Sequence, residues 1–207
     1  MNMQTSDHWE DVYRKKSFDT VSWYAPHLAE SLQLIEQLCP DRTASIVDIG
    51  GGESTLVDDL LERKYLDLSV LDISSTAIDF TRRRLGSKAQ QVSWYIGDIT
   101  RYDFAPKQFD LWHDRAVFHF LTDASARDAY VQLVRRSVKP GGQVLMATFG
   151  PNGPLKCSGL DVVRYEEHSL HHEFGEGFKL MGSELTHHHT PMGTDQQFLY
   201  CWCRVSH

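Results

Sequence analysis

The chain has 207 residues, of which 41% are hydrophobic and 24% are charged. This length and composition suit one soluble globular domain with a substantial core, and no apolar run is long enough to span a membrane. The formal net charge of −7 at pH 7 argues against DNA or RNA as the main partner. Residues 1–10 are polar and lack the basic-then-apolar pattern of a signal peptide, so we expect a cytoplasmic protein that binds neither membrane nor nucleic acid. The composition leaves the oligomeric state open.

Aromatic residues are concentrated ahead of the first predicted strand. Trp9, Tyr13, Trp23 and Tyr24 lie in a segment, residues 1–40, that ends in a predicted helix, because leucine and isoleucine recur there at helical spacing. The rings could simply pack this arm onto the domain, or the arm could cover a ligand and form one wall of its pocket. Aromatic faces attract cationic ligands, which is compatible with the second interpretation.

A short apolar run over residues 45–49 leads into Gly50, Gly51 and Gly52. This pattern predicts a strand, a tight turn and then a helix. Glycines let the backbone approach a ligand closely, and the amides at the start of the helix favour electron-rich groups. Asp48 lies near the end of the predicted strand and can reach into the same crevice, where its carboxylate suits an ammonium or sulfonium ligand better than a phosphate.

Two further apolar runs also end in an acid. Residues 65–74 contain Asp72 and residues 91–99 contain Asp98, each at the end of a predicted strand. The carboxyl ends of parallel strands meet at one edge of a doubly wound sheet, and this edge is where such sheets bind ligands. We therefore expect Asp48, Asp72 and Asp98 to line one crevice, with Asp72 placed to hold a ribose diol.

Polar residues gather just beyond the fourth predicted strand, which covers residues 109–112. His113 and Asp114 are candidate bases, and Arg115 is a candidate partner for an acidic neighbour or an anionic substrate. His119 is either a substrate contact or a histidine whose hydrogen bonds are satisfied inside the fold. Predicted helices cover residues 55–64, 76–85 and 125–138.

A glycine- and proline-rich insertion follows the fifth predicted strand. Long loops of this composition at the ligand end of a sheet often act as lids, and we assign residues 149–180 to this one. Arg164 and Tyr165 are its candidate substrate contacts.

The last two predicted strands form an antiparallel hairpin within residues 181–207. Three consecutive histidines at 187–189 invite a metal interpretation, but a strand places at most two of them on one face and no further ligands are evident. The cysteines also lack the spacing typical of zinc sites. We therefore predict no metal, and we expect a histidine such as His189 to reach the substrate.

These motifs, in this order, resemble the class I S-adenosylmethionine-dependent methyltransferases. The first motif of that family is acid-x-Gly-x-Gly-x-Gly, and here it reads Asp48-Ile49-Gly50-Gly51-Gly52-Glu53-Ser54, with Ser54 in place of the last glycine. Residues 103–115 look like the fourth motif of the family. Residues 138–146 are very like the turn before its fifth strand.

The resemblance implies S-adenosyl-L-methionine as cofactor, S-adenosyl-L-homocysteine as product, and no metal. Gly50 and Gly52 would pass close to the methionine portion and sugar of the cofactor, Asp72 would hold its ribose hydroxyls, and Asp98 with Ile99 would meet the adenine amine. The candidate cofactor-binding residues are Asp48, Gly50, Gly51, Gly52, Asp72, Ile73, Asp98, Ile99 and Trp23. The candidate substrate-binding residues are Tyr24, Arg115, His119, Arg164, Tyr165 and His189, and the candidate catalytic residues are His113, Asp114 and Arg115.

The predicted architecture is α/β, a Rossmann-like seven-stranded mixed sheet with helices on both faces and the last strand antiparallel. We expect one methyltransferase domain over residues 1–207. Its predicted parts are an N-terminal arm and helix covering the site (1–40), a cofactor-binding core (41–148), a lid (149–180) and a C-terminal hairpin (181–207).

The predicted activity is methyl transfer to a small-molecule acceptor, with a thiol or other sulfur-type nucleophile favoured. A protein-lysine methyltransferase and a non-catalytic cofactor-binding module remain alternatives. A dinucleotide enzyme fits less well, because its glycines would be spaced Gly-x-Gly-x-x-Gly and Asp48 would repel a phosphate. The Asn-Pro-Pro-aromatic signature of many base and amide N-methyltransferases is absent, since residues 114–117 read Asp-Arg-Ala-Val.

Overall fold

A computed structural model describes residues 6–206 of the chain. The strands in chain order are β1 (Ser45–Ile49), β2 (Asp67–Asp72), β3 (Val92–Ile96), β4 (Phe109–Arg115), β5 (Val138–Phe149), β6 (Lys156–Cys157), β7 (Leu160–Asp161), β8 (Phe178–His189) and β9 (Asp195–Val205). The α-helices are α1 (Ser6–Lys15), α2 (Ala29–Leu38), α3 (Leu56–Glu62), α4 (Ser75–Leu85), α5 (Ala124–Ser137) and α6 (Glu167–Phe174). Short 3-10 helices cover Gly86–Gln91 and Phe118–Phe120.

Seven of these strands form one sheet in the order β3-β2-β1-β4-β5-β9-β8. The first five pair in parallel, whereas β9 runs antiparallel to both β5 and β8. The predicted seven-stranded mixed sheet, with its last strand antiparallel, is therefore confirmed. The strand order reverses between β1 and β4, and a crevice opens at such a reversal, at the carboxyl ends of the strands.

Apolar side chains cover both faces of the sheet, because successive residues of a buried strand point to opposite faces. Ile46 of β1 packs in one core with residues of α2 and α3, such as Ile35 and Leu60. Val47 lies in the other core with residues of α5 and α6, such as Val134 and Leu170. Helices thus lie on both faces of the sheet, as predicted.

Strand β4 is longer than the sequence pattern predicts. We expected it to end at Trp112, with His113, Asp114 and Arg115 beyond it, but these three residues continue the parallel pairing with β5. Buried polar residues hide the pattern of a strand, and here their side chains are satisfied by hydrogen bonds from other elements. Strand β8 likewise begins at Phe178, inside the segment assigned to the lid.

The N-terminal arm is tied to the sheet by Glu10 of α1. Its Oε1 accepts hydrogen bonds from the backbone nitrogen of Ser75 at 2.6 Å and from the Ser75 hydroxyl at 2.9 Å, and the Thr76 hydroxyl donates to Oε2. These amides belong to the first turn of α4, where a carboxylate is favoured. The arm is thereby held at the carboxyl end of β2, beside the crevice.

The described residues contain neither a membrane-spanning helix nor a group of side chains arranged to bind a metal. Within residues 6–206, no helix is long and apolar enough to cross a membrane. The same residues contain no group of three or more His, Cys, Asp or Glu side chains arranged to hold a metal ion.

Candidate functional site

The glycine turn after β1 has a backbone conformation that residues with a side chain rarely adopt. Gly50 and Gly52 have φ values of +67° and +39°, in the left-handed region. A Cβ on Gly50 would lie 2.1 Å from a methyl carbon of Val117, and one on Gly52 would lie 2.8 Å from Oδ2 of Asp72. The turn therefore passes directly against the groups that line the crevice.

Two cavities lie side by side at this end of the sheet. The first cavity is bordered by the ends of β2 and β3, including Asp72, Ile73, Asp98 and Ile99. The second cavity is bordered by Asp48 of β1, by Gly51 and Glu53 of the turn that follows, and by Tyr24 of the N-terminal arm. Four residues border both cavities and so mark their junction, namely Tyr13, Trp23, Gly50 and Arg115.

Aromatic rings from the N-terminal arm form one wall of the first cavity. The ring centroids of Trp9 and Trp23 are 5.9 Å apart in an edge-to-face arrangement, and Tyr13 lies 6.3 Å from Trp23. Phe120 extends this wall from the segment after β4, with its ring 5.2 Å from Trp9. Such a wall excludes water and can attract a cation to its ring faces.

Carboxylates supply most of the charge near the cavities. Burial raises the pKa of Asp72 to about 7, although the Ser74 backbone amide, which donates to Oδ1 at 2.8 Å, opposes the shift. Burial also raises the pKa of Glu53 to about 7, against the attraction of Arg84. Asp98 is more exposed and accepts hydrogen bonds from the amide and hydroxyl of Thr100. A ligand that carries positive charge or donates hydrogen bonds would suit this set.

A chain of buried hydrogen bonds fixes Asp48. Its Oδ1 lies 2.7 Å from Nδ1 of His113, and Nε2 of the same ring lies 2.9 Å from the hydroxyl of Ser31. That hydroxyl lies 3.0 Å from the hydroxyl of Tyr200 on β9. The network thus connects the strand before the glycine turn with β4, α2 and β9.

Residues 46–142 match a family model described as a methyltransferase domain. The match contains the glycine turn and all three acids at strand ends. The chain is therefore an S-adenosylmethionine-dependent methyltransferase, and its sheet has the class I fold. The sequence resemblance to this family is thereby confirmed.

Curated relatives of this methyltransferase include proteins named "eEF1A lysine and N-terminal methyltransferase". The mouse (Mus musculus) relative is 24% identical over 182 residues, which are 87% of this chain and 25% of that protein. The human relative is 25% identical over 173 residues, or 83% of this chain and 24% of that protein. The chain thus spans about a quarter of the length of these relatives.

Solved structures share the fold of this methyltransferase at low sequence identity. An S-adenosylmethionine-dependent methyltransferase from Methanosarcina mazei has a TM-score of 0.70 at 16% identity and covers 84% of this chain and 97% of its own. A structure reported for the conversion of a disulfide bond into a thioacetal group during echinomycin biosynthesis has a TM-score of 0.80 at 17% identity. That match covers 98% of this chain and 93% of the other.

The candidate cofactor residues of the methyltransferase all come together in the structure. Asp72, Ile73, Asp98 and Ile99 border the first cavity, Asp48 and Gly51 border the second, and Gly50 and Trp23 border both. Gly52 adjoins them through its contact with Asp72. Their roles toward S-adenosylmethionine stay predictions.

The three candidate catalytic residues point in different directions. His113 borders the second cavity and is buried against Asp48 and Ser31. Asp114 faces the opposite side of the sheet, where the Tyr130 hydroxyl donates to it at 2.6 Å. Burial raises the pKa of Asp114 to about 6, while its hydrogen bonds act in the opposite direction.

Arg115 is the candidate catalytic residue that borders both cavities. Its guanidinium donates to the backbone oxygen of Trp23 at 3.2 Å and lies over the ring of Phe198, 4.5 Å from its centroid. Among the described residues, no carboxylate forms an ion pair with it. Its charge is therefore available to a ligand at the junction of the cavities.

The candidate substrate residues are only partly brought together. Tyr24 and Arg115 border the second cavity, but Arg164, Tyr165 and His189 border neither cavity. Arg164 donates to the backbone oxygen of Gly153, Tyr165 is buried against Phe118, and His189 pairs with Asp195 on the exposed β8–β9 hairpin. These three contacts lie outside both cavities, so substrate binding by these residues stays a prediction without a geometric basis.

His119 is buried and borders neither cavity. Its Nδ1 accepts a hydrogen bond from the backbone nitrogen of Phe149 at 3.3 Å, and its Nε2 has no hydrogen-bond partner among the described residues. Burial and then the charge of Arg115 lower its pKa to about 3, so the ring is neutral at physiological pH.

Cys157 and Glu53 border the cavities but were not among the candidates. Cys157 comes from the β6–β7 hairpin, which is the part of the predicted lid that reaches the first cavity. Burial raises the pKa of its thiol to about 11, so the thiol is protonated. Glu53 directly follows Gly52 in the glycine motif. An acid at that position was the signal that could have identified Glu53 as a cavity residue.

Proposed function

We propose that S-adenosylmethionine lies across the two joined cavities, with its adenosine in the first and its methionine portion in the second. In this arrangement Asp72 accepts hydrogen bonds from the ribose hydroxyls, and Asp98 with Ile99 meets the adenine. Gly50 and Gly52 bring the turn close to the sugar and methionine portion. The observation that supports this most directly is the junction, because one elongated ligand can pass there between the two cavities.

The proposed reaction is an in-line displacement at the methyl carbon. The nucleophile forms a bond to that carbon, the carbon–sulfur bond breaks, and its electron pair stays on the sulfur of S-adenosylhomocysteine. The sulfonium already activates the carbon, so the main contributions of the protein are alignment and exclusion of water. The aromatic wall of Trp9, Tyr13 and Trp23 serves the second purpose.

We propose a sulfur nucleophile as the acceptor. The observation that supports this choice is the position of Arg115 at the junction of the cavities, without a carboxylate partner among the described residues. A guanidinium without a carboxylate partner favours the anionic form of an approaching thiol and disfavours a protonated amine. A thiol needs only modest help to lose its proton, so no general base has to face the cavity. His113 and Asp114 then serve the fold through their internal hydrogen bonds, and their role as bases stays a prediction.

A protein amine is the second candidate acceptor, because the curated relatives are named as lysine and N-terminal methyltransferases of eEF1A. A lysine side chain is long and could enter at the junction, but it would have to lose its proton near Arg115. The reaction with an amine therefore needs a base, which the reaction with a thiolate does not.

Transfer of a labelled methyl group separates the two acceptors. The protein is incubated with S-adenosylmethionine labelled in its methyl group and, in parallel, with a panel of small thiols or with purified eEF1A. We expect label in the thiols, and we expect Arg115→Gln to lower kcat/KM for the thiol by about 10- to 100-fold, as for loss of a charge-assisted contact. Arg115→Lys should retain more activity, and Arg83→Gln, at an exposed position of α4, is the control. Label in eEF1A alone would establish the amine acceptor instead.

A further inference from the structure

Glu53 is a buried acid directly after the three glycines of the turn. Only 8% of its surface is exposed, and it borders the second cavity. Its Oε2 is buried without a hydrogen-bond partner among the described residues. A buried carboxylate oxygen without a donor is costly, so such a group in a cavity wall points to a ligand that supplies the donor.

The nearest basic side chain does not fill this role. Arg84 donates to the backbone oxygen of Glu53 at 2.8 Å, and its other nitrogens contact Ser54 and the carboxylate of Asp58 at 2.6 Å. Arg84 therefore binds the backbone of the turn and a different acid. It fixes the position of Glu53 and attracts the Glu53 carboxylate by its charge, but its hydrogen bonds go to the turn backbone and Asp58.

The other acid in the second cavity is already engaged. Oδ1 of Asp48 is hydrogen-bonded to His113, whose ring is held in turn by Ser31. The sequence pattern favoured Asp48 as the group that meets a cationic ligand. The structure instead leaves Oε2 of Glu53 as the carboxylate oxygen of this cavity that is buried without a donor among residues 6–206.

The charges around Glu53 indicate which kind of ligand group would donate to its carboxylate. Burial and the neighbouring charge of Asp72 raise the pKa of Glu53 to about 7, against the attraction of Arg84, so its surroundings disfavour the ionised form. A compact cation with several N–H donors would stabilise it, as an ammonium group does. A neutral hydroxyl would satisfy the oxygen but would leave the charge unbalanced.

We infer that Glu53 receives the α-ammonium group of the methionine portion of the cofactor, an inference that rests on the proposed function. Glu53 is therefore a specificity-determining residue for ligands that carry an amino acid group. The assignment predicts that Glu53 distinguishes S-adenosylhomocysteine from a nucleoside that lacks this group.

Calorimetry with two ligands tests the assignment. S-adenosylhomocysteine and 5′-methylthioadenosine share the adenosine portion, but only the first has the ammonium group. For Glu53→Gln we expect binding of S-adenosylhomocysteine to weaken by about 10- to 100-fold while binding of 5′-methylthioadenosine stays within about twofold of the wild type. Glu62→Gln removes one negative charge from the exposed surface of α3 and is the matched control, expected to bind both ligands as the wild type does.

The possible results are distinct. If Glu53→Gln binds both ligands as tightly as the wild type, or loses affinity for both by the same factor, the assignment of the ammonium site is wrong while the proposed function stands. If the wild type binds neither ligand, the proposed function fails and the inference fails with it. Thermal unfolding of each variant shows whether a loss of affinity comes from loss of the fold, and Glu53→Asp, which keeps the charge, should recover part of the selectivity.

Discussion

Nδ1 of His113 lies 2.7 Å from Oδ1 of Asp48, and this contact ties β4 to the strand that leads into the glycine turn. Ser31 and Tyr200 extend the contact through two more hydrogen bonds, and all four side chains are buried. Each bond satisfies a polar atom that has no access to water. The Asp48 carboxylate is therefore held in place before any ligand arrives.

Replacement of His113 should destabilise the fold and weaken cofactor binding together. His113→Phe removes the hydrogen-bond partner of the buried Asp48 carboxylate, at a cost of about 1–3 kcal/mol, while the Ser31 hydroxyl keeps its contact with Tyr200. Urea unfolding measures the loss in the free energy of unfolding, and calorimetry measures the binding of S-adenosylhomocysteine. His172→Phe, at an exposed position of α6, should change the free energy of unfolding by no more than about 0.5 kcal/mol. Equal stability of the two variants would show that the buried network contributes nothing.

Asp72 should make the ligand-free protein less stable as the pH rises. Burial raises its pKa to about 7 in the folded state, whereas the ordinary value is 3.8. Between these values the folded state binds a proton that the unfolded state has released, so the free energy of unfolding falls with rising pH and levels off above about pH 7. Asp72→Asn removes this contribution, so relative to the wild type it should be more stable at pH 8 than at pH 4. Parallel stability curves for the two proteins between pH 4 and pH 8 would contradict the assignment.

Asp72 should also contribute to cofactor affinity. In Asp72→Ala the ribose hydroxyls lose their acceptor, and we expect binding of S-adenosylhomocysteine to weaken by about 1–3 kcal/mol. Calorimetry at pH 8, where the wild-type carboxylate is ionised, gives the comparison. Asp79→Ala on the exposed side of α4 is the control. Unchanged affinity in Asp72→Ala would place the ribose elsewhere.

Glu10 should control how firmly the N-terminal arm is attached. Burial raises the pKa of Glu10, but the hydrogen bonds from Thr76 and Ser75 outweigh it and leave the pKa below its ordinary value. The stabilisation that this contact provides is therefore complete at pH values above the ordinary carboxyl pKa. It is lost as the pH falls through the lowered pKa of Glu10. Glu10→Gln should weaken it by about 0.5–2 kcal/mol, as for a lost helix cap.

Hydrogen exchange measures the attachment of the arm directly. In Glu10→Gln the amides of residues 6–15 should exchange faster than in the wild type, while those of α5 should not change. The control is Asp11→Asn, which removes an exposed contact to Lys15 and should have a smaller effect on the arm. The prediction is wrong if both variants exchange alike.

Replacement of Ala116 by glycine should stabilise the protein, because the Ala116 backbone lies in the left-handed region with φ of +70°. A Cβ in this conformation costs about 1–2 kcal/mol, part of which is offset by the greater freedom of glycine in the unfolded chain. We expect Ala116→Gly to raise the free energy of unfolding by about 0.5–1 kcal/mol in urea unfolding. Ala129→Gly, inside α5, should lower it by about 1 kcal/mol. A loss of stability in both variants would show that the Ala116 backbone is not strained.

The parts of the fold that were predictable depend on short-range rules. Alternating and continuous apolar runs marked β1, β2 and β3, and the glycine turn was recognisable because positive φ values require residues without a Cβ. The helices α3, α4 and α5 begin and end within about two residues of their predicted bounds. The polar end of β4 was missed, because the periodicity rule interprets buried His113 and Asp114 as exposed loop residues.

By itself, the sequence determined the family resemblance, the seven-stranded mixed sheet that goes with it and the set of acids at the carboxyl ends of β1 to β3, because these follow from patterns within a few residues. Only the tertiary structure decided which side chains meet. It placed Asp48 against His113, 65 residues away, and left Oε2 of Glu53 without a donor in the described part of the chain. It also brought Cys157 to the first cavity and kept Arg164, Tyr165 and His189 away from it. The physical reason is that a hydrogen bond between distant residues depends on how strands and helices pack, and the hydrophobic pattern of a segment records which face is buried but not what that face will touch.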